Sequence, residues 1–121
     1  MRIERFEDLK TWQKGQDLAI FIYKSLGHSR DFSFRDQICR ASVSVSNNIA
    51  EGFDRGGNKE FVHFLYIARG SNSEVKSMLY LAKSLEYITE PLFNEGINLC
   101  DENGKLINGF ITYLLTKGKP N

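Results

Sequence analysis

The chain has almost no net charge: 16 Lys and Arg stand against 15 Asp and Glu in 121 residues, for a formal charge of +1. Bulk attraction to a polyanion or to an acidic substrate is thereby excluded, and only a local stripe of cations could reach nucleic acid. Cysteine is scarce. Cys39 and Cys100 lie far apart with no ligand-like spacing, so they read as small buried apolar residues of a reducing compartment. Long apolar runs are missing too, and Met1-Arg2-Ile3-Glu4-Arg5-Phe6 lacks the apolar core of a secretory signal. A cytoplasmic protein with no membrane contact is expected. There is no Walker loop, no serine or cysteine triad and no CxxC pair, so the sequence offers no catalytic residue, no cofactor and no small-molecule substrate. Internal repeats and low-complexity segments are likewise absent.

What is present is apolar periodicity. At 41% hydrophobic and 26% charged the composition is that of an ordinary globular protein, and the length suits one domain over residues 1–117 with a disordered tail at 118–121. Leu9, Trp12, Gln16, Ala19, Tyr23 and Leu26 alternate threes and fours, which predicts a helix from about Asp8 to Leu26 with a heptad seam. Ser33-Phe34-Arg35-Asp36 resembles a capping box and predicts a second helix from Ser33 to about Gly52, buried through Ile38, Ala41, Val45 and Ile49. Its other positions are crowded with Ser and Asn, which compete for backbone hydrogen bonds and so point to close packing or polar contacts.

Asn58 is the expected cap of a third and longest helix, Lys59 to Tyr87, with Phe61, Leu65, Ala68, Asn72, Val75, Leu79, Ala82 and Glu86 in one row. Thr89-Glu90-Pro91 starts a fourth, carrying Phe93, Ile97, Cys100, Gly104, Ile107, Ile111 and Leu114, with Asn103-Gly104 as a point of kinking. Short glycine-containing turns between such helices predict an all-α, antiparallel up-down-up-down four-helix bundle. Folding the third helix on the second sets Ala41, Ser42 and Val45 opposite Asn72, Ser71 and Ala68. Apolar side chains facing several directions on the first helix, Trp12, Phe21 and Ile22, predict an oligomer, because a monomer would leave some of them in water.

Two polar constellations stand out. Arg40, Asn47, Asn48, Glu51 and Glu74 form an expected structural network, with a partly buried Arg40–Glu74 pair fixing the register of the middle helices. Arg69, Lys76 and Lys83 repeat every seven residues, interleaved with Tyr66, Tyr80 and Tyr87, and Arg55 and Lys59 lie nearby in the turn. Cations among aromatic rings suit phosphate contact and base stacking, and they equally suit a subunit interface. Glu60-x-x-His63 has the spacing of half a di-iron site, but His28 has Ser25 three residues before it, so the second half is missing and no metal is expected.

Phe6-Glu7-Asp8-Leu9-Lys10-Thr11-Trp12, Gln37-Ile38-Cys39-Arg40-Ala41, Ser46-Asn47-Asn48-Ile49-Ala50-Glu51-Gly52 and Ile67-Ala68-Arg69-Gly70-Ser71 with Glu74 resemble the four-helix-bundle proteins encoded in intervening sequences of bacterial 23S ribosomal RNA genes. The resemblance covers about Phe6 to Ile88. It implies a ring-shaped homopentamer and kinship with the accessory subunits of diversity-generating retroelements, which bind a reverse transcriptase and nucleic acid. Those accessory subunits are strongly basic, unlike this chain. The resemblance brings no enzymatic activity. Two functions follow as expectations: a homopentameric adaptor associated with ribosomal or other structured RNA, and a protein-binding accessory subunit that never touches nucleic acid.

Overall fold

The computed structural model describes residues 3–116, so the tail expected at 118–121 lies outside it. Four helices follow one short 3-10 turn at Phe6–Asp8: α1 Lys10–Leu26, α2 Phe32–Asp54, α3 Asn58–Ser84 and α4 Glu90–Thr116. No strand occurs among the described residues. Each helix packs on its sequence neighbours, and α4 closes the ring against α1, while among the described residues no Cα atoms of the diagonal pairs α1/α3 and α2/α4 come within 8 Å of each other. Cross-helix contacts run in opposite directions, Gln37–Glu74 then Ser44–Ser71 along α2/α3, Arg69–Asn108 then Lys83–Glu90 along α3/α4, and Lys14–Glu102 then Phe21–Gly96 along α1/α4. The architecture is therefore the antiparallel bundle that the periodicity predicts.

The core rows of α2 and α3 are where the spacing places them, and on α4 the buried row runs through Gly96 and Asn103 where the spacing had Ile97 and Gly104. Ile38, Ala41, Val45 and Ile49 are buried against Leu65, Ala68, Val75 and Leu79, and Cys100, Ile107 and Ile111 complete the interior. On α1 the expected seam is displaced. Thr11, Gly15, Leu18, Ile22 and Leu26 face inward, whereas Tyr23 is 50% exposed and Trp12 is only half buried, stacked near Phe6 at 5.3 Å. The cause is Gly15: its position would put a Cβ 3.1 Å from that of Ser46, so α2 sits directly against this small face. Phe21 and Ile22 are buried within the single chain, which removes the argument for an oligomer from α1 as first framed. Ile20 and Tyr23 are the large apolar side chains on that helix left in solvent.

Helix ends differ from expectation by chemistry that can be named. Asp31, not Ser33, caps α2, its Oδ1 accepting the Phe34 N–H at 3.1 Å. Asp36, which would have completed the box, pairs with Arg35 instead at 2.9 Å. Gly57 precedes the first turn of α3 in extended conformation. That helix stops at Ser84, short of Tyr87, because Glu86 turns into the left-handed region at φ 63° and the Tyr87 N–H returns to the Ala82 carbonyl at 2.8 Å. Through Asn103-Gly104 α4 continues as unbroken helix. No helix among the described residues is long and apolar enough to cross a membrane.

Candidate functional site

The small faces of α2 and α3 do meet. Ser71 Oγ donates to Ser44 Oγ at 3.0 Å, and Asn48 Nδ2 donates to both the carbonyl and the hydroxyl oxygen of Ser44, each at 2.8 Å. Further along, Gly52 lies so close to α3 that an added Cβ would stand 2.6 Å from that of Phe64. The Ser and Asn content of α2 thus goes into near backbone approach and a short polar ladder.

The wider polar set is not one network. Arg40 and Glu74 do not pair: both are exposed, and Glu74 Oε2 accepts from Gln37 Nε2 at 3.3 Å. Gln37, one turn before Arg40, is the α2 residue that flanks Glu74, while Arg40 borders the surface shared with Tyr23 of α1. There Arg40, Asn47 and Asn48 line an open groove of about 550 Å³ with Tyr23, Asp36 and Val43. Glu51 belongs to the α2–α3 turn, where Arg55 Nη2 meets its Oε2 at 2.8 Å.

A second polar element, hidden from the spacing, crosses the middle of the bundle. Gln16 Nε2 donates to Ser46 Oγ at 2.9 Å, Asn72 Nδ2 to the Cys100 carbonyl at 2.9 Å, and Asn103 Nδ2 to the Lys14 carbonyl at 3.3 Å. Each helix contributes one residue. Asn72 Oδ1 is buried without a partner among the described residues. Burial pushes the neighbouring Cys100 thiol up to about 12, so it is an inert apolar filler. The signal available in the sequence was Gln16 and Asn72 standing in otherwise apolar rows.

The cationic stripe is real as a row but is occupied. Lys76 Nζ meets Asp101 Oδ1 at 2.7 Å, and that hydrogen bond, reinforced by the charge, raises the Lys76 pKa. Lys83 Nζ reaches Glu90 at 4.0 Å and lies 4.6 Å from the centre of the Phe93 ring, on which Tyr80 packs edge-on. Arg69 donates to Asn108 Oδ1 at 3.0 Å and stacks on Tyr66 at 4.8 Å. These residues line the α3/α4 seam. Arg55 and Lys59 lie apart at the α2–α3 turn, where Arg55 is held by Glu51 and Glu60, its pKa raised first by the Glu51 hydrogen bond. Of the five cations only Lys59 and Arg69 lack a carboxylate within 4.0 Å among the described residues. Glu60 is the second acid of Arg55, and His63 packs edge-on against Phe64.

Exposed apolar side chains also occur along α3. Ile67, Leu81 and Leu85 are exposed along a row shared with Gly70, Glu74 and Ser77, and nothing lies within 4 Å of where a Cβ on Gly70 would be. The row's apolar members stand at its two ends, with Gly70, Glu74 and Ser77 between them, and Leu85 is the residue that follows the last turn of α3.

Residues 7–109 match the family model described as 23S rRNA-intervening sequence protein. A crystal structure of a protein with unknown function from the S23 ribosomal protein family of Bacteroides thetaiotaomicron VPI-5482 superposes with a TM-score of 0.78 at 28% identity. The superposition covers 84% of this chain and 97% of that one. No curated protein matches the chain.

Proposed function

The chain belongs to the 23S rRNA-intervening sequence protein family, and we propose that it is a non-enzymatic, self-associating adaptor working through the outward faces of its bundle. The observation that carries this is the exposed row along α3. Ile67, Leu81 and Leu85 are large apolar side chains left in water on a helix whose opposite row is fully buried, and Leu81 alone is 48% exposed. A row of this kind lowers its free energy by packing against another helix. Self-association into the pentamer implied by the resemblance is one way to cover it, and a protein partner would use what remains.

Contact with 23S or other structured RNA is the second reading, favoured by Lys59 and Arg69, whose charge no carboxylate within 4.0 Å offsets among the described residues. It ranks second because Arg55, Lys76 and Lys83 are already matched to acids.

The test is light scattering coupled to size exclusion, at low and at raised salt, with and without a structured 23S-derived RNA. The expected result is a particle heavier than one chain at both salts, unaltered by RNA and dissociated by Leu81→Glu. A monomer at all concentrations would overturn the proposal. An RNA-dependent shift that disappears as salt rises would move the assignment to nucleic acid.

A further inference from the structure

The four helices are not equally well made. Seven of the 27 residues of α4 are Gly or Asn, namely Asn94, Gly96, Asn98, Asn103, Gly104, Asn108 and Gly109, whereas α3, of equal length, has Asn58, Gly70 and Asn72. Gly and Asn are poor helix formers, glycine through backbone entropy and asparagine through competing side-chain hydrogen bonds. Packing does not compensate evenly. The fully buried residues in the middle of α4 are Gly96, Cys100 and Asn103, flanked by the partly buried Ile97 and Leu99, and larger fully buried side chains stand toward its ends with Phe93, Ile107, Ile111 and Leu114. Gly96 brings the α4 backbone close to its neighbours there, since a Cβ would stand 2.9 Å from both Leu79 Cδ1 and Phe21 Cε2.

The ties between α4 and the bundle are also polar. Asn72 donates to the Cys100 carbonyl and Asn103 to the Lys14 carbonyl, while Lys14–Glu102 and Lys76–Asp101 bridge the two seams at 3.4 and 2.7 Å. Such groups lose little on meeting water, because hydration replaces what they give up. The orphaned Asn72 Oδ1 would gain a partner. The chain links α4 to the other helices through residues 85–89, and among the described residues its backbone runs beside α1 and α3 with no Cα of α2 within 8 Å, so it can leave with the α2/α3 pairing in place.

We propose that α4 is a separate local-unfolding unit, which detaches and melts from the α1–α3 subdomain well below the free energy of global unfolding. In that opened state the side chains of Phe21 and Leu79, which meet α4 at Gly96, become exposed to water.

Native-state amide exchange on the full chain tests this. In the wild type, amides of Cys100 and Ile107 should exchange at least tenfold faster than those of Val45, Ile49 and Leu65. Ile38→Val, a one-methylene deletion in the core of α2, should speed exchange in α2 and α3 about fivefold and leave α4 unchanged, because the opened state still keeps that core. Gly109→Ala, on an exposed site with nothing within 4 Å of the new Cβ, should slow α4 exchange about fivefold. Equal protection in all helices, an Ile38→Val effect of the same size in α4, or no response of α4 to Gly109→Ala would each overturn the proposal.

Discussion

Asp31 illustrates how much one side chain can organise. Its Oδ1 caps α2 through the Phe34 amide, its Oδ2 accepts the Tyr87 hydroxyl at 2.8 Å, and the Tyr87 ring lies edge-on to Phe34 at 5.3 Å, so the α1–α2 connection and the α3–α4 connection are tied together. The Tyr87 hydrogen bond first, and the Phe34 amide second, hold the Asp31 carboxyl below its ordinary value of 3.8. The same bond pushes the Tyr87 phenol above 10.0. A depressed acid contributes stability that is complete above its unfolded pKa and is lost as pH falls through the folded one. A raised phenol contributes below its unfolded pKa and loses the contribution as pH rises through the folded one. The tie is therefore intact across the neutral range and fails at both extremes. In Tyr87→Phe, the Asp31 carboxyl followed by carbon NMR should titrate closer to 3.8 than in the wild type. An unmoved titration would mean that the hydroxyl is not what depresses it. The sequence pointed two residues too late, because Ser33 and Asp36 have the spacing of a capping box and nothing in that spacing shows that Asp36 is taken by Arg35.

Among the helices, α3 ends in the least favourable way open to it. The Tyr87 N–H to Ala82 carbonyl bond and the left-handed residue before it make a Schellman stop, a position where glycine is usual and here Glu86 stands exposed at φ 63°. An L side chain in that region costs about 1–2 kcal/mol, partly offset by the chain entropy that glycine would add to the unfolded state. Glu86→Gly should accordingly raise stability by about 0.5–1 kcal/mol in a urea melt. A loss of stability would mean that Glu86 holds the turn in some other way. The sequence ran α3 on to Tyr87 because Glu86 keeps the row's spacing, and spacing carries no information about φ. On α2 and α3 the periodicity sufficed, since their buried rows are mainly apolar residues at threes and fours, and on α4 it placed the ends of the row but not Gly96 and Asn103 in its middle. On α1 it did not, because Gly15 and Thr11 count for nothing on a hydrophobicity scale yet form the face on which α2 sits. The polar crossing of Gln16, Ser46, Asn72 and Asn103 was half visible, as polar residues interrupting apolar rows. Which carbonyls they meet depends on how the helices are set against each other.

At the scale of the whole molecule the question is what field a chain of net charge +1 presents. The heptad repeat of Arg69, Lys76 and Lys83 was legible from spacing, and so was its placement on one side of α3. Illegible was the acid that meets each lysine, since Glu90 and Asp101 come from α4 and face the stripe only once the seam has closed. Their presence changes the expected behaviour toward RNA from a steep electrostatic one to a shallow one. Each phosphate neutralised on single-stranded nucleic acid contributes a slope of about −0.7 to log K against log salt. With Lys59 and Arg69 as the two candidate cations lacking an acid within 4.0 Å among the described residues, the expected slope is roughly −1.4 per protomer engaged. Asp101→Asn releases Lys76, which should add about −0.7 per protomer to that slope if the seam faces RNA. Fluorescence anisotropy of a labelled RNA across a salt series measures both quantities. If binding is weak and Asp101→Asn leaves it unchanged, the stripe serves the α3/α4 seam alone. A slope that steepens with the variant would instead show that the acids of α4 are what holds this face back from phosphate, so that charge matching within the bundle, and not a shortage of cations, sets how the chain meets RNA.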